Sequence, residues 1–135
     1  MISSMTVLVV DDFSTTRRII SRLLSQLGFT RIHQASNGIE ALEHLAKNKV
    51  DLVVTDWHMP EMDGLELVVN MRTHPETARV PVLMVTAESK KEQMTKAAYA
   101  GVNGYLVKPF TAEALHGKIQ RIVARLDEAQ LQAAV

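Results

Sequence analysis

Cysteine is absent from the 135 residues, which excludes disulfides and thiolate metal centres. Surplus charge is absent too. The 15 Lys and Arg balance the 15 Asp and Glu, so no global field draws the chain to nucleic acid or to an anionic membrane surface. No apolar run approaches the roughly 18 residues of a membrane span, so membrane insertion is not expected. The opening Met1-Ile2-Ser3-Ser4-Met5 has neither a basic segment nor a long apolar one. No signal peptide is expected, and the cytoplasm is the default location. Internal repeats, linkers and low-complexity stretches are missing as well, which leaves one domain with a single core. Its boundaries are read as 6–126, with a short extension before it (1–5) and an Ala/Gln-rich tail after it (127–135) that extends the last helix or frays.

What is present is a repeated alternation of two apolar patterns. Thr6-Val7-Leu8-Val9-Val10 is a short β-branched run, the pattern of a strand buried on both faces. Asp11-Asp12 ends it. Ser14 is the expected cap of a helix whose stripe is Ile19, Ile20, Leu23, Leu24 and Leu27, and Gly28 stops that helix. Arg31 to Ala35 alternates weakly and reads as a more exposed strand. Asn37-Gly38 opens a second helix, with Leu42 and Leu45 inward, ending near Asn48. Asp51 to Thr55 reads as the third strand, with Asp56 at its end. Pro60 and Asp63-Gly64 form a loop that leads to a helix with Leu65, Val68, Val69 and Arg72.

Pro75 breaks that helix, and Pro81 marks the approach to a fourth strand, Val82 to Val85, closed by Thr86. A helix from about Lys90 to Ala100 carries Met94, Ala97 and Ala98 on one side and ends at Gly101. Tyr105-Leu106-Val107 is a fifth strand, ending at Lys108-Pro109. Thr111 caps a last helix with Leu115, Ile119, Ile122, Val123 and Leu126 at helical spacing. Five strands alternating with five helices predict an α/β fold, a parallel sheet doubly wound by helices on both faces.

Parallel strands bring all their carboxyl ends to one edge, where open α/β sheets place their ligands. That edge collects Asp11 and Asp12 from strand one, Asp56 from strand three, Thr86 from strand four and Lys108 from strand five. Three carboxylates in one crevice repel unless a cation is present. A hard divalent ion resolves this, and Mg²⁺ suits a few carboxylates completed by waters and a phosphate. Asp56 is then a candidate nucleophile toward a phosphoryl group. Lys108 would neutralise the transferring oxygens, and the Thr86 hydroxyl would donate to one of them. By contrast, His33, His44, His74 and His116 show no ligand spacing and are expected at the surface. Gly117, inside the last helix, has no evident role, and Lys108-Pro109 is compatible with either a cis or a trans bond.

The order Asp11-Asp12, Asp56, Thr86 and Lys108-Pro109-Phe110, each at its strand end, resembles the receiver domain of two-component response regulators. The resemblance spans about residues 6–126. Phe13-Ser14-Thr15, Asp56-Trp57 with Met59-Pro60, Met62 to Leu67, Pro81 to Glu88, and Gly104-Tyr105 look most like the stand-alone chemotaxis regulators within that family. It implies a flavodoxin-like strand order of 2-1-3-4-5. It implies that Asp56 takes a phosphoryl group from a chemotaxis-type histidine kinase. Mg²⁺ would be held by Asp12, Asp56 and the His58 backbone carbonyl, with Asp11 reaching it through water. Thr86 and Tyr105 would be the switch. Met94, Tyr105, Val107 and Lys118 would belong to an output face made by helix four, strand five and helix five. The implied target is a flagellar motor switch protein, and a phosphatase is a further implied partner.

Two features depart from the family. His58 stands where the chemotaxis proteins often have asparagine, so it, with Glu88, is expected to tune the lifetime of the phosphorylated state by altering access of water. The tail beyond Leu126 is longer than usual. A paralogue acting as a phosphate sink, a phosphorelay shuttle or a regulator of another motility system is the alternative within the class. A Mg²⁺-dependent phosphohydrolase of the haloacid-dehalogenase type would need an Asp two residues after the nucleophile, and His58 is there instead. A flavin carrier would need a hydroxyl-rich phosphate loop after strand one, where Asp11 and Asp12 would repel the phosphate.

Overall fold

Side chains alternate along a strand, and here they alternate between two helical layers, which is why the strands are apolar at successive positions. In β1 (Thr6–Val10), Val7 and Val9 pack toward α1 (Ser14–Leu27) and α5 (Ala112–Ala134). Leu8 and Val10 pack toward α2 (Gly38–Lys47) and α3 (Gly64–Thr73). The computed structural model describes residues 2–134. Its sheet is completed by β2 (Arg31–Ala35), β3 (Leu52–Thr55), β4 (Val82–Thr86) and β5 (Gly104–Val107). All pairings are parallel, in the order β2-β1-β3-β4-β5. A third, smaller cluster of Trp57, Met84 and Ala97 lies under α4 (Lys91–Ala100), with Tyr105 half-buried against it.

Local chemistry sets the helix ends. Asn37 caps α2 by accepting from the Glu40 amide at 2.9 Å, and the Glu40 carboxylate accepts the amide of Ser36, the residue before the cap, at 3.1 Å. Asp63 caps α3 through the Glu66 amide at 2.9 Å. Thr111 accepts from the Ala114 amide at the start of α5. Gly28 and Gly101 end α1 and α4 at φ 110° and 105°, a left-handed conformation that suits a residue without Cβ.

Several expectations about faces and ends need correction. Ser14 is the first residue of α1, not its cap. Phe13 occupies the cap position, and Asp11 Oδ1 accepts the Phe13 amide at 3.0 Å. On α3, Val69 is 49% exposed, whereas Leu67 and Met71 are fully buried beside Val68. On α4 only Ala97 is buried, and Met94 and Ala98 face outward. Ile19 is half exposed on α1. His44 and His116 are half-buried, each with a buried Nε2 that has no hydrogen-bond partner among the described residues. The extension before β1 contains a short 3-10 helix, Ile2–Ser4, and the tail continues α5 to Ala134.

Candidate active site

The order β2-β1-β3 reverses direction at β1, so the crevice lies beyond the carboxyl ends of β1 and β3. Asp11 is 1% exposed and Asp56 8% exposed, so both carboxylates need compensation there. Backbone ladders fix both. The Asp11 amide donates to the Ala35 carbonyl at 3.1 Å, and the Asp56 amide to the Val10 carbonyl at 2.9 Å. The Lys108 amide donates to the Thr86 carbonyl at 2.8 Å, which extends β5 along β4 and brings its side chain to the same rim.

Lys108 supplies the compensation. Its Nζ lies 2.9 Å from Asp11 Oδ2 and 3.1 Å from Asp56 Oδ2. Burial pulls the lysine pKa down, but the hydrogen bond to Asp11 and the charges of Asp56 and Asp11 outweigh it, so the pKa is raised and the ammonium is held charged. Asp56 Oδ1 accepts the Trp57 amide at 2.6 Å. Thr86 is 1% exposed, and its Oγ1 accepts the Glu88 amide at 3.3 Å. The Lys108-Pro109 bond is cis.

Oxygens of Asp11, Asp12 and Asp56 lie within 4.8 Å of one another. Asp12 Oδ1 is buried and has no hydrogen-bond partner among the described residues, a costly state for a carboxylate oxygen unless an ion completes it. Among the described residues no amide donates to the His58 carbonyl either. An all-oxygen donor set with one orphaned anionic oxygen fits Mg²⁺, which binds through few carboxylates and keeps its waters.

Tyr105 is half-buried behind Thr86, and its Oη donates to the Glu88 carbonyl at 2.7 Å. Its pKa is pushed up to about 12, first by burial and then by the charges of Glu88 and Asp56. The remaining residues named from the sequence lie apart from the crevice. Met94 is on α4 and 38% exposed, and Val107 and Lys118 are half-buried on β5 and α5.

Two supporting residues escaped the sequence reading. Arg17 donates through Nη1 to the Asp11 carbonyl at 2.6 Å and through Nε to Gln34 at 3.1 Å. One turn into an amphipathic helix, it carries no pattern that separates it from any exposed arginine. Gly64 was read only as part of a turn. Its amide donates to the Trp57 carbonyl at 2.7 Å, and a Cβ there would overlap the Asp56 carbonyl oxygen. The Asp-Gly pair before an apolar helix was the available signal.

Residues 7–120 match the family described as the response regulator receiver domain. The chain is 53% identical to the chemotaxis protein CheY-3 of Vibrio cholerae, over 91% of this chain and 95% of that protein. It is 51% identical to the chemotaxis protein CheY of Pseudomonas aeruginosa, over 91% of this chain and 99% of that one. Among solved structures, the chemotaxis response regulator CheY4 of V. cholerae is 35% identical, with a TM-score of 0.82 and coverage of 88% of this chain and 99% of that one. The stretch that matches is the stretch that builds the crevice, and the chain is a CheY-like member of the response regulator receiver domain family.

Proposed function

We propose that this protein is a phosphoryl-accepting switch of bacterial chemotaxis, and that Asp56 is the acceptor. The observation that carries this reading is Lys108 Nζ held between Asp56 Oδ2 and Asp11 Oδ2, beside the orphaned Asp12 Oδ1. The Asp56 carboxylate attacks the phosphorus of a kinase phosphohistidine. The P–N bond breaks, the imidazole leaves, and an acyl phosphate forms on Asp56. Lys108 pairs with the incoming oxygens, and Thr86 donates its hydroxyl to one of them. Asp11, Asp12, Asp56 and the His58 carbonyl would hold Mg²⁺, and the ion would supply charge neutralisation there. The protein is therefore read as a regulator that carries and slowly loses its own phosphoryl group, not as a turnover enzyme.

An acyl phosphate adds charge of about −2 and three acceptor oxygens at the rim. Thr86 Oγ1 accepts the Glu88 amide and keeps its own proton to donate, so a shift toward the phosphoryl oxygens would pull on that contact, and Glu88 also accepts the Tyr105 hydroxyl on its carbonyl. Movement of Thr86 therefore loosens the 86–90 loop and Tyr105 together, which biases α4, β5 and α5 between two arrangements. Met94, Tyr105, Val107 and Lys118 would then contact the target. The CheY names of the relatives favour a chemotaxis kinase upstream and a flagellar motor switch protein downstream. In this reading residues 6–126 are the receiver, and the tail is an addition to it.

Acetyl phosphate with Mg²⁺ should label the protein, and Asp56→Asn should not be labelled. Uptake of label by Asp56→Asn at the wild-type rate would remove Asp56 from this role. Binding to a flagellar switch protein should require the activated state. Equal binding without activation would refute control of this contact by phosphorylation, and no binding in either state would point to a different target.

A further inference from the structure

We propose that Arg17 is a positioning residue for the metal site: by holding the peptide unit between Asp11 and Asp12, it sets how tightly the crevice takes Mg²⁺. This role rests on the reading of Asp12 as a ligand of the ion. Among the described residues Arg17 makes no ion pair with the crevice carboxylates, so it acts through the main chain.

Asp12 has little of its own to locate it. Among the described residues its amide donates to no backbone carbonyl, and its Oδ1 is buried without a partner. Asp11, one residue earlier, is held at every polar group. Its amide donates to the Ala35 carbonyl at 3.1 Å, its Oδ1 accepts the Phe13 amide at 3.0 Å, and its Oδ2 accepts from Lys108 Nζ at 2.9 Å. The fourth group is its carbonyl, and Arg17 Nη1 donates to that oxygen at 2.6 Å. The Asp11 carbonyl and the Asp12 amide belong to one planar unit. Fixing the oxygen therefore fixes the rotation of that plane, and with it the direction in which the Asp12 side chain leaves the main chain. The Phe13 amide belongs to the next plane, so Asp12 is clamped on the peptide before it and on the peptide after it.

The guanidinium is itself braced. Arg17 lies in the first turn of α1 and is half-buried. Its Nε donates to Gln34 Oε1 on β2 at 3.1 Å, and Gln34 Nε2 donates to Ser21 Oγ, one turn farther along α1, at 3.4 Å. Among the described residues no carboxylate lies within ion-pair distance of Arg17. Neutral acceptors on two elements thus set the direction of its planar fork, and one arm is aimed at the Asp11 carbonyl. The two ways in which such a group can act on a cation have opposite signs. As a positive charge it would repel Mg²⁺, and its removal would tighten binding. As a clamp on the peptide it holds Asp12 in place beforehand, and its removal would weaken binding.

Mg²⁺ titration of the full chain, read by Tm and by the fluorescence of Trp57, tests the proposal. Trp57 is the only tryptophan, and its amide donates to Asp56 Oδ1 in the crevice. Arg17→Met keeps the apolar stem but has no donor, and it should raise the Mg²⁺ dissociation constant by about tenfold or more. Arg17→Lys keeps a cationic donor and should recover part of that affinity. Gln34→Ala removes the brace at an exposed position, and it should raise the constant by about two- to fivefold. Circular dichroism and the Tm without metal report the fold, and Gln34→Ala gives the same test should Arg17→Met not fold. A constant unchanged or lowered in the folded variants would overturn the proposal, even where the Tm without metal falls. A wild-type protein that does not respond to Mg²⁺ at all would overturn the reading of the metal site, and the role of Arg17 with it.

Discussion

The imidazole of His58 and the carboxylate of Glu88 meet across the rim of the proposed phosphoryl site, Nε2 to Oε2 at 3.2 Å. The His58 ring stacks on Trp57, with centroids 5.8 Å apart and planes at 21°. The hydrogen bond from His58 is the main cause that holds the Glu88 carboxyl below its ordinary range. The ring therefore bears on the site through Glu88, the residue whose backbone already joins Thr86 and Tyr105.

His58→Asn removes this bridge between the β3–α3 and β4–α4 loops. Water should then reach the acyl phosphate more freely, and dephosphorylation should accelerate by about three- to tenfold, the scale set by one hydrogen bond acting on a barrier. Loss of label after removal of the phosphodonor measures this. A rate equal to wild type would mean that the bridge does not guard the site.

Asp12 offers a test of the metal that leaves Asp56 in place. Because Asp12 Oδ1 is buried without a hydrogen-bond partner among the described residues, Asp12→Asn should leave stability without metal unchanged or slightly raised, since it removes a charge that sits beside two other carboxylates. Wild-type Tm should rise as Mg²⁺ is added, following the usual linkage of a ligand that binds only the folded state. In Asp12→Asn that rise should vanish or shift to much higher Mg²⁺. An identical Mg²⁺ titration in both proteins would place the ion elsewhere.

Gly117 lies inside α5, and a Cβ built there meets nothing within 4 Å. The glycine therefore costs helix stability without serving a close approach. Gly117→Ala should stabilise the protein by about 0.5–1 kcal/mol, and thermal unfolding should show a Tm higher by a few degrees. Acetyl phosphate labelling should stay at the wild-type rate, since the position is remote from the crevice. A fall in Tm would reveal a packing partner that the static structure lacks.

The strands and the crevice were legible because one rule governs both. A run such as Val7-Leu8-Val9-Val10 fits only a strand covered on two sides, and parallel strands bring residues as distant as Asp11 and Lys108 to one edge. Helix faces were less legible. In α3, Leu65, Leu67, Val68, Val69 and Met71 allow more than one apolar stripe, and packing against the sheet and α2 selects Leu67 and Met71 over Val69. In α4, alanines are apolar enough for either face, so Ala97 and Ala98 could not be told apart. The Arg17 contact to the Asp11 carbonyl, and the placing of Phe13 in the cap position where Ser14 is expected, depend on how the chain leaves β1. Periodicity carries no information about that exit.

His44 shows the same limit, and it yields a pH prediction. It was expected at the surface, but it is half-buried on α2 with its ring 4.9 Å from that of His33 on β2. Burial first, and the His33 charge second, lower its pKa below the ordinary histidine value of 6.5. Lys47, Glu40 and Glu43 of α2 line a shallow pocket with His44, and the two carboxylates do not offset the shift. The sign follows from linkage. The unfolded chain binds the proton more readily than the folded one, so stability is full above pH 6.5, declines as pH falls through 6.5, and levels off below the folded pKa. Urea midpoints measured from pH 8 to pH 5 should therefore fall on the acid side. His44→Gln keeps a polar side chain that cannot titrate, and it should flatten that decline while leaving the midpoint near pH 8 similar. If the variant declines as steeply as wild type, the acid sensitivity belongs to another group and His44 is not the residue that senses pH.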